Sequence, residues 1–530
     1  MLNRFKALSL AAFILLSVVG CTNTNVRTDV GETVENKYGD YPIQSDVKLS
    51  YWVTFSGQSQ SGVTNFAQLE FYKALKEKTG IDIEFQHPIN HEQFNLMLAS
   101  GEYPDIIESN FYTFPGGPEK AINDGYIIEL NDVIEKYAPN LLKYYKERPE
   151  VDKMAKTDGG SYYSFPFIRD DRTLMVYQGP IVRKDWLDEL NLSVPETIDE
   201  WYTVLKAFKE KENVEAPLSF SFGSGILKNS GAFMGAFGVK QGLYVTDGEI
   251  KLGELEPGYK EFVETFRKWY AEGLIDKNIA TIDSKILDTN MLNDKSGASL
   301  GNTGGGIGKW MKAMEVTNPD YKLVAAPYPT LRKGDIQKFG QWDLPFQASG
   351  AASISTQCKD VELAARLLDY GYSDEGRLLC NFGISGVSYN MKDGYPQYTD
   401  LILNNKDGKS MSEMVGIYCR PNGNGPYIQD PRFMEQFAAL PEQKESLIIW
   451  SNTDALSTNL PMITLTLEES NEGGKIKNDL ETYSNEMLLK FIMGVEPLEK
   501  FDDFVAQLKK IGAERYIELN QNALDRYNNR

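Results

Sequence analysis

A strand, a helix and a second strand follow one another near the start of the chain. Residues 48–55 (KLSYWVTF) are rich in β-forming side chains, and residues 81–85 alternate between apolar and polar. Between them, residues 66–75 carry a helical apolar pattern that ends at Gly80. A helix that joins two neighbouring strands packs on a sheet in which those strands run parallel. The sequence therefore predicts an α/β fold.

Similar patterns recur later in the chain. Asp199 is expected to cap a helix whose apolar residues are Trp201, Leu205 and Phe208. No segment repeats at a fixed period, which argues against a solenoid or a propeller. The remaining predicted helices cover 92–98, 259–270, 361–370, 504–510 and 516–527, and the remaining predicted strands cover 105–107, 251–255, 323–326 and 351–354.

The length and charge of the chain limit its function. With 530 residues the chain exceeds the size at which a single hydrophobic core stops growing, so two or more domains are expected. Hydrophobic residues make up 42% and charged residues 25%, which is typical of a globular protein and not of a disordered one. Because 75 acidic residues outnumber 55 basic ones, the chain lacks the basic excess of a nucleic-acid binder, and no nucleic-acid partner is expected.

The N-terminal residues predict export and a lipid anchor. Two basic residues precede an apolar run over 7–19, which is too short to span a bilayer, so residues 1–20 are predicted to be a signal peptide. The sequence VVGC at 18–21 resembles the lipobox of bacterial lipoproteins, in which Cys21 becomes the lipidated N-terminus. The alternative is an ordinary secretory signal. Residues 21–45 are typical of a flexible tether to the membrane.

Histidine and cysteine are too scarce for most catalytic sites. His87 and His91 are the only histidines, and their sequence HPINH differs from the HExxH of zinc peptidases. A nucleophilic hydrolase would have to use one of them, and no GxSxG motif occurs. Cys358, Cys380 and Cys419 could form at most one disulfide and are expected to be small buried residues. No metal site and no cofactor are therefore expected.

The glycine-rich segment GNTGGGIGK at 301–309 resembles a phosphate-binding loop only superficially. Thr303 stands where the first glycine of such a loop is needed, and Trp310 replaces the Ser or Thr that holds magnesium. Glycines 304–306 are expected to allow a tight turn or a close approach of the backbone to a ligand. A pair of carboxylates for glycoside hydrolysis stays open, because the 75 acidic residues offer many candidates.

Several segments carry a family resemblance. YWVTFSG near the first strand, FYKALKEKTGIDIEFQHP (71–88) and ASGEYPDII (99–107) resemble, in order and spacing, the start of maltose-type extracellular solute-binding proteins of ABC importers. Residues 183–211, 369–389 and 491–516 resemble the larger lipoprotein branch of Gram-positive bacteria, which includes carbohydrate and alginate-type binders. The segments are spread over nearly the whole mature chain.

The resemblance implies a two-lobed, periplasmic-binding-protein-like α/β fold with a hinge and a central cleft. It places 46–170 and 349–400 in lobe one, and 171–348 and 401–530 in lobe two. Relatives of this branch often carry a calcium loop after the helix that corresponds to 201–211. Residues 210–217 lack the alternating oxygen ligands of such a loop, so no calcium is expected there.

A sugar site combines aromatic rings with planar polar side chains, and the resemblance places it on loops at strand ends facing the cleft. For Trp310 and Trp342 the alternative is burial or hinge packing. Arg169 and Asp171 have the alternative of pairing across the hinge. The predicted ligand-binding residues are Trp52, Gln58, Asn110, Tyr112, Tyr163, Arg169, Asp171, Phe222, Trp310 and Trp342.

The resemblance and the scarcity of catalytic groups together predict a binding protein. We expect a monomeric lipoprotein on the outer face of a Gram-positive cell membrane, which binds an oligosaccharide and delivers it to the permease subunits of an ABC importer. One alternative is a surface glycoside hydrolase or polysaccharide lyase. Another is a binder of a different nutrient, such as a peptide.

Overall fold

The computed structural model describes residues 37–55, 63–90, 92–211, 214–407 and 409–530. The predicted signal peptide, Cys21, Gln58 and His91 lie outside the described residues. All elements named below belong to one unit, Tyr38–Arg530. Within the described part of the chain, no helix has the length and apolar composition that crossing a bilayer requires.

Strands and helices are mixed along the chain, with runs of consecutive helices over 117–155 and 431–529. The described strands are β1 (Lys48–Trp52), β2 (Asp82–Gln86), β3 (Ile106–Glu108), β4 (Phe165–Ile168), β5 (Gln178–Arg183), β6 (Leu243–Thr246), β7 (Glu249–Leu252), β8 (Ala298–Asn302), β9 (Leu323–Ala325), β10 (Phe346–Ile354), β11 (Tyr389–Lys392), β12 (Tyr395–Tyr398) and β13 (Tyr427–Ile428). The described helices are α1 (Glu70–Thr79), α2 (Glu92–Ser100), α3 (Gly117–Asn123), α4 (Asn131–Tyr137), α5 (Pro139–Glu147), α6 (Pro149–Ala155), α7 (Arg172–Met175), α8 (Lys184–Glu189), α9 (Ile198–Lys209), α10 (Ile226–Asn229), α11 (Pro257–Ala271), α12 (Ser284–Leu292), α13 (Lys309–Met314), α14 (Val361–Asp369), α15 (Asp374–Phe382), α16 (Asp400–Leu403), α17 (Met411–Tyr418), α18 (Pro431–Phe437), α19 (Pro441–Trp450), α20 (Leu467–Ile492), α21 (Phe501–Ile511) and α22 (Ala513–Asn529).

The first sheet is mixed and has the strand order β13-β4-β10-β3-β1-β2. β1 pairs in parallel with both β2 and β3, which confirms the parallel unit predicted from the sequence. Between β1 and β2, α1 ends at Gly80, whose φ of 73° is left-handed. A Cβ at this position would lie 2.1 Å from the carbonyl oxygen of Ile43, so the close approach and the backbone angle both require glycine.

The second sheet is antiparallel, with β5 between β8 and β9. Trp186, Trp201 and Trp269 lie buried in the core that forms on it. The first sheet has a separate core, which includes Tyr51 and Phe165. The chain therefore folds around two hydrophobic cores, each with its own sheet.

The strand β13 differs from the expected division of the chain, which placed 401–530 in lobe two. Tyr427 and Ile428 pair in parallel with Phe167 and Ile168 at the edge of the first sheet. The chain joins the second core only later, where Trp450 is buried. A strand of two residues is too short to show an alternating pattern, so the sequence did not indicate this late return to the first sheet.

The start of α9 also differs from expectation. Thr197, not Asp199, is the N-cap: its hydroxyl accepts the N–H of Glu200, and the Glu200 carboxylate accepts the N–H of Thr197. This reciprocal arrangement is the capping box of a T-x-x-E sequence. Asp199 instead lies in the first turn, where a negative charge interacts favourably with the helix dipole.

Candidate functional site

A cleft of about 530 Å³ lies where the chain passes between the two sheets. Asn110 and Tyr112, which follow β3, line it from the first sheet together with the beginning of β10. Tyr177 and Gln178, at the beginning of β5, line it from the second sheet. Residues 340–344, between β9 and β10, complete this part of the wall. Both sheets therefore contribute to one concave site.

A hydrogen-bonded ion pair holds the segments that cross between the sheets. Arg169, just after β4, donates to Asp343 over 3.1 Å and to Gln429 over 2.9 Å. Gln341 donates to the second carboxylate oxygen of Asp343 over 2.9 Å. Burial raises the pKa of Asp343, and the neighbouring guanidinium of Arg169 opposes this rise. The pair links three stretches of chain, which follow β4, precede β10 and follow β13.

Four aromatic residues line the cleft: Tyr112, Tyr177, Trp342 and the almost fully buried Phe346. The Tyr112 hydroxyl donates to the Ile463 carbonyl over 2.9 Å, and burial raises the pKa of Tyr112 to about 12. The Arg169 guanidinium lies over the Tyr177 ring, 4.8 Å from the centre of that ring. The indole N–H of Trp342 is buried and has no hydrogen-bond partner among the described residues. These rings offer apolar faces of the kind that pack against a sugar.

A second cavity of about 720 Å³ adjoins the cleft, since both are lined by Tyr112 and Leu460. Residues 113–118 line it on one side, and α20 and α22 line it on the other. Its α20 wall includes Gly474, where a Cβ would have no atom within 4 Å, and Gly473, which packs closely against Leu465 and Leu519. The cleft and the second cavity therefore lie side by side, with Tyr112 and Leu460 in the walls of both.

Lysine 240 is the one basic residue among the described residues that line the cleft. The side chain is partly buried, and burial lowers its pKa to about 8. Four further residues line the cleft that were not predicted from the sequence: Lys240, Gln341, Asp343 and Asn459. Gln341 and Asp343 flank Trp342, so a wider window around that tryptophan could have included them, but no pattern around Lys240 marks it.

Of the predicted site residues, the structure brings Asn110, Tyr112 and Trp342 together at the cleft. Arg169 lies beside them and pairs with Asp343, not with Asp171, which was its partner in the alternative of pairing across the hinge. Their role in ligand binding remains a prediction.

The other predicted residues lie elsewhere. Tyr163, Phe222 and Trp310 are buried in the two cores, at 1%, 6% and 2% exposure, and their side chains pack there rather than line the cleft. Trp52, at the end of β1, packs against the first core. The Asp171 carboxylate caps α7 by accepting backbone and hydroxyl donors from the residue two positions later.

The glycine-rich segment explains the burial of Trp310. Thr303–Gly308 forms a π-helical turn that leads into α13. A Cβ on Gly304 would lie 2.8 Å from the Phe437 ring, and one on Gly306 would lie 2.8 Å from Ile181. The glycines therefore allow close packing against other side chains, and the Trp310 N–H donates to Asp288 over 2.8 Å.

His87 has a structural role in the first core. One ring nitrogen lies 3.1 Å from the Phe66 N–H, which donates to it, and the other lies 3.0 Å from the Val53 carbonyl. Phe55 and Phe66 pack against the ring, and burial lowers the pKa of His87. Since both nitrogens are engaged by the backbone, the ring is not placed to act as a base or a ligand. The described residues contain no group of three or more His, Cys, Asp or Glu side chains arranged to hold a metal ion.

The comparisons with known proteins identify the class of this chain. Residues 59–378 match the model of the bacterial extracellular solute-binding protein family, and the chain belongs to this family. The two sheets and the intervening cleft fit its two-lobed, periplasmic-binding-protein-like fold.

Two relatives match along most of their length. The fructooligosaccharide ABC transporter substrate-binding protein FusA of Streptococcus pneumoniae serotype 4 is 24% identical, over 99% of each chain. Lipoprotein LipO of Bacillus subtilis is 25% identical, over 84% of this chain and 87% of its own. Among solved structures, the alginate-binding protein AlgQ2 without calcium ion has a TM-score of 0.75 and 24% identity, over 90% of this chain and 98% of that chain. This structural likeness shows the fold alone.

Proposed function

We propose that the chain is the lipid-anchored substrate-binding component of an ABC importer and that it captures an oligosaccharide in the cleft. The observation that carries this proposal is the cleft that both sheets line, with Tyr112, Tyr177 and Trp342 in its wall and a second cavity beside it. FusA, which matches over nearly its whole length, is named for the transport of fructooligosaccharides. A shared architecture of this kind favours a sugar over a peptide.

The cleft offers both kinds of contact that a sugar needs. The aromatic rings present apolar faces to the C–H-rich faces of the sugar rings. Gln178, Asn229 and Ser349 line the same space with amide and hydroxyl groups, which can donate to and accept from sugar hydroxyls. Since the second cavity continues from Tyr112, a ligand of several sugar units can occupy both parts.

Capture then follows from movement of the two lobes about the crossing segments. We take the two cores as the lobes, joined by the stretches that Arg169, Asp343 and Gln429 hold together. A ligand that contacts both walls stabilises the closed arrangement, because its binding free energy is greatest when both walls are engaged. The closed form presents both lobes to the permease, which completes delivery.

Anchoring and location rest on Cys21, which lies outside the described residues. A diacylglyceryl group on this cysteine supplies two acyl chains, enough for stable attachment to the outer face of the membrane. Expression of the full chain and of Cys21→Ser in a Gram-positive host, with labelled palmitate, tests this. Label and membrane association are expected for the natural sequence and not for the variant; equal release of both into the medium would contradict the anchor.

Calorimetry against a panel of oligosaccharides of two to six units tests the main proposal. We expect at least one to bind and to raise the melting temperature, while Trp342→Ala weakens its binding at least tenfold. Val316→Ala, at a residue 91% exposed, serves as the control and is expected to bind normally. Absence of binding by any oligosaccharide would overturn the proposal.

The alternative of an enzyme is tested on the same panel. Prolonged incubation of protein with a molar excess of each glycan, followed by product analysis, is expected to return the glycans intact. Products in excess of the protein present would identify a hydrolase or a lyase instead.

A further inference from the structure

Lys240 lies in the wall of the cleft without an opposite charge. The residues that line the same cleft include Ile226, Asn229 and Ser230. The ammonium group forms no hydrogen bond and no ion pair with any described residue. Partial burial removes water from a group that is strongly hydrated when exposed, and the resulting lowering of its pKa has no counteracting carboxylate.

The carboxylates close to this wall already have partners. Asp343 is the one acidic residue among the described residues that line the cleft, and Arg169 and Gln341 hold both of its oxygens. Glu254 lies in the adjoining cavity, where its carboxylate accepts the N–H of Gly242 over 3.1 Å. The cleft therefore has one uncompensated positive charge, although the chain as a whole has a net charge of −20.

A buried charge without a partner destabilises a protein unless something compensates it. A sugar hydroxyl can accept a hydrogen bond from an ammonium group, but a carboxylate also supplies the opposite charge. Charge-assisted hydrogen bonds are roughly twice as strong as those between neutral groups. Retaining an unpaired lysine in a binding cleft is thus best explained by an anionic group on the ligand.

We propose that Lys240 binds a carboxylate of the ligand and that the protein selects acidic oligosaccharides, those containing uronic acid units, over neutral ones. This inference rests on the proposed function, since it names the class of oligosaccharide that occupies the same cleft. The amide and aromatic side chains of the cleft would contact the rest of each sugar unit, while the Lys240 ammonium group binds the carboxylate of that unit.

The test uses oligouronides of two to six units with different backbones, each beside its own methyl ester. Esterification removes the negative charge and keeps the length and linkage. Calorimetry is carried out on the mature protein, on Lys240→Met and on Lys312→Met, a control that removes one positive charge from an exposed position on α13 outside the cleft.

We expect at least one oligouronide to bind the natural protein and its methyl ester to bind at least tenfold more weakly. Lys240→Met is expected to lose at least tenfold in affinity for the acid and to lose the discrimination against the ester, while Lys312→Met keeps both. Because methionine replaces a partly buried charge, the melting temperature of the unliganded Lys240→Met protein should not fall.

Two other outcomes separate this inference from the proposed function. If neutral oligosaccharides bind and every acid binds no better than its ester, the inference is wrong and the proposed function stands. If neither acidic nor neutral oligosaccharides bind, both are wrong. The comparison of acid with ester on the natural protein decides the inference even if Lys240→Met fails to fold.

Discussion

The buried ion pair between Glu108 and Arg420 joins parts of the first core that are 312 positions apart in the chain. The two side chains are 4% and 6% exposed. The Tyr51 hydroxyl also donates to Glu108, over 2.7 Å. Burial raises the pKa of Glu108 to about 8, and the hydrogen bond from the Tyr51 hydroxyl opposes this rise. Replacing Arg420 with methionine removes the charged partner of the Glu108 carboxyl and keeps most of the side-chain volume.

The cost of Arg420→Met follows from the group that it leaves without a partner. Removing one side of a buried ion pair typically costs about 3–5 kcal/mol, because the other charge stays buried without compensation. The Glu108 carboxyl, whose pKa burial already raises, can lessen this cost by taking up a proton. We therefore expect the first core to lose about 3 kcal/mol of stability at pH 7.

Hydrogen exchange measured by mass spectrometry on peptides from β1 and β3, together with urea unfolding at pH 7, tests this prediction. The matched control is the double variant Glu108→Gln/Arg420→Met, in which no charge remains, so its loss should be smaller. A loss below about 1 kcal/mol for Arg420→Met, or an equally large loss for the double variant, would refute the reasoning.

Three further predictions concern the cleft and its surroundings. Tyr112→Phe removes the hydrogen bond to the Ile463 carbonyl and should lower the free energy of unfolding by about 1 kcal/mol; an unchanged urea midpoint would show that this bond does not hold the two walls together. Bound ligand should change the fluorescence of Trp342, whose indole N–H has no partner among the described residues, and most of this change should disappear in Trp342→Phe; a full signal from that variant would place the reporter elsewhere. Residues 210–217 should bind no calcium, so exhaustive treatment with a chelator should leave the melting temperature unaltered, and calcium recovered by elemental analysis at one ion per chain would contradict this.

The sequence predicts the regular elements of this fold well because the signals that specify them are local. The helical pattern before Gly80 and the alternating residues on either side follow from periodicities that only a few neighbouring residues create. The short strand β13 has no such pattern, and its place beside β4 depends on contacts with residues about 260 positions earlier. Long-range pairing of this kind cannot be read from periodicity.

The site was harder to predict than the fold. An aromatic residue such as Trp310, flanked by glycines, is equally compatible with a binding surface and with a tightly packed core, and the core position became evident only from its distances to neighbours. Lys240 shows the opposite difficulty. Its importance arises from the absence of a carboxylate among the described residues around it, and a sequence does not show which charges a folded chain leaves without a partner.

The late strand β13 also constrains how the protein is made. Secreted chains of this kind emerge from the membrane with the N-terminus first, and the first sheet lacks its edge strand until residues 427–428 have emerged. The second core is completed even later, because it includes Phe491 of α20 and Phe504 of α21. Neither core can be completed from the N-terminal half alone. A chain that is stalled or cut before residue 428 would therefore leave the hydrophobic surfaces of both cores incompletely buried. Chaperones and proteases outside the membrane could bind these surfaces.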